Sequence, residues 1–324
     1  MMNRRNFSLA LGASMASMAA PAFAQSYPDK PIKLIVPYAA GGGTDAIARL
    51  IANAVGEKLG QTMFVENNGT AGGNVASQIA ASSPADGYTV LMANQGPMVV
   101  NPHLFKSLKV DPLTAFDPVV LITSAPLVLV VPAKSPITTA QQFLDFARKN
   151  PGKLSYGSAG NGSASHLAVV LLAQLAKLDM SHVPYRGAGP ALNDLVAGQT
   201  DFMITTLPSV AGQIDGKTVR ALAVTTSTRT KRFPDLPTLA EVGVTGYESG
   251  AWYGFVVPKG TPAPIVEKIR TATIEAINTS IVRERFANEG ADPLGVAPDK
   301  FAEMMKKESA RWAEVVKSAN IEMN

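Results

Sequence analysis

Ile32-Lys33-Leu34-Ile35-Val36-Pro37-Tyr38-Ala39-Ala40-Gly41-Gly42-Gly43-Thr44-Asp45-Ala46-Ile47-Ala48-Arg49 runs a short apolar strand into three glycines and then into a helical pattern. Ile47, Leu50, Ile51, Ala54 and Val55 recur at the spacing of one helical face, so this helix packs on the sheet that the strand begins. Glycines between strand and helix let a ligand come close to the backbone. The helix behind them aims unpaired N–H groups and the positive end of its dipole at that ligand. The stretch predicts an α/β fold with an anion site at its first turn.

The alternation continues outward. A helix over Thr44 to Leu59, a strand over Met63 to Glu66, a helix over Asn74 to Ala81 and a strand over Tyr88 to Met92 complete a βαβαβ unit. Pro97 to Pro136 reads as proline-rich and irregular around the apolar run Leu127 to Val131, with a domain crossing expected near residue 125. A second series follows: helix Thr139 to Lys149, strand Leu154 to Tyr156, helix Ser163 to Lys177, strand Ser181 to Val183, helix Pro190 to Gly198, and strands Asp201 to Thr205 and Val219 to Val224. Trp252 to Val257 is strand-like, and helical segments are expected at Pro262 to Asn278, Ile281 to Glu289 and Pro298 to Ala319.

Arg4 and Arg5 precede the modestly apolar run Phe7 to Ala20 and then Ala22-Phe23-Ala24, the pattern of a cleavable export signal over residues 1–24 by the Sec or twin-arginine route. Losing Arg4 and Arg5 takes Lys+Arg from 29 to 27 against 25 acidic residues, a net charge of about +2. That balance, with Arg229-Thr230-Lys231-Arg232 as the one basic cluster, argues against nucleic acid as a partner. There is no cysteine, which excludes disulfides, thiolate metal sites and a cysteine nucleophile. His103, His166 and His182 have no metal-ligand spacing, so neither a metal nor another cofactor is expected.

Glycine-rich loops precede helices at Gly41 to Gly43, Gly69 to Gly73 and Gly157 to Gly162. Two of them in one βαβαβ half and one in the other fit a cleft lined from both sides by helix N-termini. A rival reading is enzymatic: Gly41-x-Gly43-x-x-Ala46 satisfies the dinucleotide fingerprint, with Glu66 at the end of the next strand. The four-residue spacer Pro37 to Ala40 loosens the tight turn that fingerprint needs, and an exported protein meets little nicotinamide cofactor. Gly162-Ser163-Ala164-Ser165-His166 lacks the G-x-S-x-G elbow, and its serines are expected to cap a helix, so no catalytic residue is assigned. Asp45 has two readings, a first-turn charge complementing the helix dipole or a group orienting a ligand amine or water.

Several stretches together carry a likeness. Tyr27-Pro28-x-Lys30-Pro31-Ile32, Val36 to Asp45 with Ala48-Arg49, Glu66-Asn67 with Gly69-x-Ala71-Gly72, Pro84-x-Asp86-Gly87-Tyr88-Thr89, Tyr156-Gly157-Ser158-x-Gly160, His182 to Gly187 and Trp252-Tyr253-Gly254-Phe255 resemble the Bug family, the receptors of tripartite tricarboxylate transporters. The resemblance implies a two-lobed, type II periplasmic-binding-protein (Venus-flytrap) fold, with residues 25–125 and 250–324 in one lobe and 126–249 in the other. It implies a periplasmic, monomeric receptor that captures a small carboxylate in the interlobe cleft and hands it to a two-component membrane permease. The carboxylate classes are di- and tricarboxylates, acidic amino acids and aromatic acids. A ligand sensor for a membrane signalling protein stays open as a different class. Carried over residue by residue, the likeness points to Tyr38, Ala40, Gly42, Gly43, Thr44, Asp45, Asn94 and Gln95 on one side. Across the cleft it points to Ser158, Asn161, Ser163, His166, Arg186 and Thr206. Arg186 departs from the lysine frequent in the family, and its fork would grip a carboxylate bidentately.

Overall fold

The computed structural model describes residues 27–318, so the expected export signal lies outside them. Strand β1 (Ile32–Val36) pairs in parallel with β2 (Met63–Asn67) and β3 (Thr89–Asn94). Helix α1 (Gly43–Leu59) follows β1, and its Ile47, Ile51 and Val55 are fully buried, as the helical spacing predicted. A short 3-10 turn (Thr70–Gly73) leads into α2 (Asn74–Ala81). After β3 come a π-helical turn (Gly96–Val100) and two single-turn helices, α3 (Asn101–Leu104) and α4 (Pro112–Ala115).

The segment expected to be irregular is in fact the longest strand among the described residues, β4 (Phe116–Pro132). Its prolines concealed it, since proline cannot donate to a ladder and reads as a strand breaker. Here Pro118 stands at a shift of register against the neighbouring strand, and Pro126 at the point where β4 changes partners. As far as Pro126 the strand pairs antiparallel with β9 (Gly250–Pro258); from Leu127 it pairs with β7 (Phe202–Thr206) and β8 (Val219–Val224). Strand β10 (Asp292–Val296), which no sequence pattern announced, pairs with the first half of β4 on the edge opposite β9.

Along the sheet the order is β2-β1-β3-β9-β4-β7-β5-β6, where β5 is Ser155–Ser158 and β6 is Ser181–Pro184. It divides at β4 into two half-sheets. The second half carries α5 (Ala140–Lys149), α6 (Ala164–Ala176), α7 (Ala188–Ala197) and α8 (Leu207–Asp215); the first is covered by α1, α2, α9 (Ala263–Ile277), α10 (Ser280–Asn288) and α11 (Pro298–Ser318). Among the described residues no helix is long and apolar enough to cross a membrane. Both half-sheets present the carboxyl ends of their parallel strands toward each other, which is where open α/β sheets bind ligands.

Candidate functional site

Between those strand ends lies a narrow cavity of about 40 Å³ that opens to solvent. From the first half-sheet it is walled by Tyr38 and Ala39, by Gly42 to Thr44 at the start of α1, by Asn94 to Gly96 after β3, and by Ala251 and Tyr253 of β9. From the second come Ala159, Ser163 to Ser165 at the start of α6, Ala188 at the start of α7, and Thr205, Thr206 and Ser209 around the start of α8. None of these residues carries a formal charge. Four helices of nine residues or more begin on the wall, and their first-turn amides have no acceptor within the helix. Each such terminus acts as about half a positive charge.

A chain of hydroxyl groups links the two sides. The Gly43 amide donates to Ser209 Oγ at 2.8 Å, and Ser209 Oγ lies 2.8 Å from Thr206 Oγ1. Tyr253 shares this wall with Thr206 and Thr44, and Asn94 Nδ2 donates to Thr44 Oγ1 at 3.2 Å. Burial pushes the Tyr253 phenol up to about 12, the neighbouring Thr206 and Thr44 hydroxyls opposing it, so it stays protonated and remains a donor. Gln95 is satisfied in the orientation in which Nε2 donates to Gly250 O at 3.2 Å and Oε1 accepts from Trp312 Nε1 at 2.7 Å. At the mouth the two sides touch through backbone: Ala39 N donates to Arg186 O at 2.9 Å, and the Gly41 and Gly189 backbones are adjacent.

Residues 47–321 match the tripartite tricarboxylate transporter family receptor, TctC. The chain belongs to this receptor family. It is 40% identical over 300 residues to a Pseudomonas sp. protein encoded in the tcbD-tcbE intergenic region, covering 92% of this chain and 89% of that one. Protein BugT of Bordetella pertussis is 34% identical, with 95% of each chain covered. Among solved structures, the periplasmic binding protein BugD superposes with a TM-score of 0.89 at 35% identity, over 92% of this chain and 100% of its own. An R. palustris protein solved with adipate gives 0.88 at 34% identity, over 91% and 98% of the two chains. MatC from Rhodopseudomonas palustris with bound malate gives 0.85 at 35% identity, over 90% and 100%. The protein is therefore a periplasmic solute-binding protein of the TctC family with a two-lobed α/β fold. That family is one of receptors rather than of enzymes.

Of the residues to which the Bug likeness pointed, the TctC cavity wall holds Tyr38, Gly42, Gly43, Thr44, Asn94, Gln95, Ser163 and Thr206. The others stand elsewhere. Asp45 turns behind the loop, where its carboxylate accepts from Gly41 N at 3.0 Å, Arg49 Nε at 3.1 Å and Asn67 Nδ2 at 2.9 Å. Burial raises the Asp45 carboxyl, but these donors outweigh it and hold the group below the usual carboxylate range. Its partners are those of a loop brace. Ala40 is exposed at the mouth, and Arg186 is exposed as well, contributing its carbonyl rather than its guanidinium to the contact between lobes. Asn161 belongs to the turn ahead of α6, outside the wall; its backbone carbonyl faces Gly72 of the other lobe.

Ser158 and His166 lie behind the wall. Ser158 Oγ is 2.6 Å from His182 Nε2 and accepts from Gly160 N. His166 accepts from Gly162 N at 3.2 Å through Nδ1 and stacks on His182, ring centroids 4.1 Å apart. Burial, with His182 alongside, lowers His166 to about 3, and burial lowers His182 to about 4, so both are neutral at physiological pH. Ser163 caps α6 as expected, accepting from His166 N, while Ser165 accepts from Ala159 N and also lines the cavity. Sequence reasoning missed Thr205, Ser209 and Tyr253. Tyr253 had a signal in the Trp252-Tyr253-Gly254-Phe255 motif; Ser209 had none, because its role depends on the other lobe.

The dinucleotide reading of Gly41-x-Gly43 meets a steric fact. A Cβ on Gly43 would lie 2.6 Å from Thr206 Oγ1 and 2.8 Å from Ser209 Oγ. The close approach that this glycine permits is taken up by the opposite lobe.

Proposed function

We propose that the protein captures a small carboxylate, foremost a C4 to C6 dicarboxylate, between its lobes and delivers it to a membrane permease. One observation carries the reading: an uncharged cavity on which four helix N-termini and several hydroxyl donors converge. Such a wall favours anions through dipoles worth about 0.3 to 1 kcal/mol each, and up to about 2 when partly buried. It offers a cation no counter-charge. One carboxylate sits on the α1 terminus and the other on the α6 and α8 termini, with Tyr253, Thr44 and Thr206 as side-chain donors. The malate and adipate bound by relatives at 35% and 34% identity have this chemistry.

The lobes, residues 25–125 with 250–324 and residues 126–249, close as rigid bodies about the two crossings near 125 and 249, a hinge motion in which no covalent chemistry takes part. The change of β4 partners at Pro126 supports that division. Export of the chain as a monomer places the receptor ahead of a two-component permease.

Thermal melting with succinate, malate, adipate, citrate, aspartate, glutamate and benzoate tests the function. At least one of these acids raises the midpoint. A rise with a nicotinamide dinucleotide and with none of the acids would refute it in favour of the enzyme reading. Deleting the gene abolishes uptake of the stabilising acid if the receptor serves transport, and leaves uptake intact if it serves only sensing.

A further inference from the structure

Asn94 and Tyr253 are directly paired across β3 and β9, so both side chains point to one face of the sheet, the face that floors the cavity. The Asn94 amide is turned with Nδ2 donating to Thr44 Oγ1 at 3.2 Å. Asn94 Oδ1 is left without a partner in a residue only 5% exposed. A buried acceptor with no donor is costly, and such atoms in native proteins call for an explanation.

The hydroxyl groups beside Asn94 on the wall, those of Thr44, Thr206 and Tyr253, carry donors, which is what a carboxylate needs. Asn94 Oδ1 is the exception, and a carboxylate oxygen beside it would be repelled. It requires a hydrogen on the ligand. Because Asn94 is bonded to Thr44 in the first turn of α1, where the carboxylate is held, that hydrogen belongs to a polar group carried on the carbon next to the carboxylate. An ammonium there would look for a negative partner, but the nearby carboxylate, Asp45, is turned away and engaged by Arg49, Asn67 and Gly41 N.

We infer that Asn94 is a specificity-determining residue whose Oδ1 accepts a hydrogen bond from a 2-hydroxyl group, so that the receptor selects 2-hydroxy dicarboxylates over their deoxy and 2-amino counterparts. This deepens the carboxylate reading above and rests on it. A site built around a ligand hydroxyl discriminates strongly against the analogue that lacks it, because its own buried polar atom is then stranded.

Calorimetric titration of the exported chain with L-malate, succinate and L-aspartate tests the assignment. The expected result is malate bound at least tenfold more tightly than either. In Asn94→Ala, the malate-to-succinate ratio falls to within about threefold, about 0.7 kcal/mol, while succinate binding persists. Equal affinity of the wild type for malate and succinate, or tighter binding of aspartate, overturns the assignment of Asn94 and leaves the carboxylate function standing. Binding of no acid at all overturns both. The wild-type comparison does not depend on the variant folding.

Discussion

Gly189→Ala separates closure of the cleft from contact with the ligand. Gly189 is the second residue of α7 and does not line the cavity, and its φ is not in the left-handed region, so alanine fits the backbone. In the closed arrangement a Cβ there would stand 2.7 Å from Ala40 O and 3.0 Å from the Gly41 carbonyl carbon. Relief demands about half an ångström of movement in a loop held on one side by Ala39 N to Arg186 O and on the other by Gly41 N to Asp45. Overpacking of this size costs about 1 to 3 kcal/mol, and the cost falls on the closed state alone. Affinity should therefore drop about 5- to 150-fold. Once the lobes part, the clash with Ala40 and Gly41 is relieved, and glycine to alanine within a helix stabilises by about 0.5 to 1 kcal/mol. The ligand-free melting temperature therefore holds or rises while the dissociation constant climbs. Gly212→Ala is the control: it lies in α8 with open space around its Cβ, so it should stabilise without altering affinity. Calorimetry gives the dissociation constant, and small-angle scattering reports whether saturating ligand still compacts the variant. Unchanged affinity in Gly189→Ala would refute the claim that the 39–41 and 186–189 backbones must touch for the ligand to be held.

Arg186→Ala should alter affinity by less than about twofold, since the side chain is exposed and the backbone makes the contact; a tenfold loss in calorimetry would restore a bidentate anion clamp. Asp45→Asn should destabilise by about 1.5 to 3 kcal/mol in urea unfolding, the range for hydrogen bonds to a charged group. Because the folded Asp45 carboxyl is held below its ordinary value, its contribution is present above that value and fades as pH drops through the lowered one; a variant as stable as wild type at pH 7 would contradict this. His166 works in a higher window. Its folded value, about 3, lies below the unfolded one, so the unfolded chain binds the extra proton and stability falls as pH descends from about 6.5. At pH 5 the loss is about 2 kcal/mol, and His166→Gln should lose correspondingly less between pH 7.5 and pH 5. An equal loss in both proteins would remove His166 from the account.

The βαβαβ unit was readable because α1 carries a helical spacing of apolar residues and β1 an unbroken apolar run, both local patterns. Strand β4 was not, since its prolines are tolerated only by virtue of a register shift and a change of partner, events set by distant strands. At the site, Gly42, Gly43 and Ser163 were legible from strand-to-helix turn chemistry. Asp45 was ambiguous for a physical reason: a first-turn carboxylate is as consistent with bracing its own loop as with facing a ligand. Only the positions of Arg49 and Asn67 distinguish the two. Ser209 lies 166 residues from the Gly43 amide that it accepts from, a separation no local pattern spans.

An anion cleft without a cation follows from what closure does to dielectric. When the lobes meet, water leaves and every remaining dipole acts more strongly. A lysine or arginine on this wall would hold a dianion tightly, yet on release of the anion it would become a buried unpaired charge, costly enough to oppose closure and to slow exchange. Hydroxyls avoid that conflict, because each is both donor and acceptor. Ser209, Thr206, Tyr253 and Thr44 can satisfy one another or turn their donors to a carboxylate, so both the filled and the emptied cleft keep their bonds. Asn94 Oδ1 cannot make that exchange, since it can only accept. The atom least able to adapt is therefore the one positioned to choose among ligands, and the adaptable hydroxyls set reversible affinity.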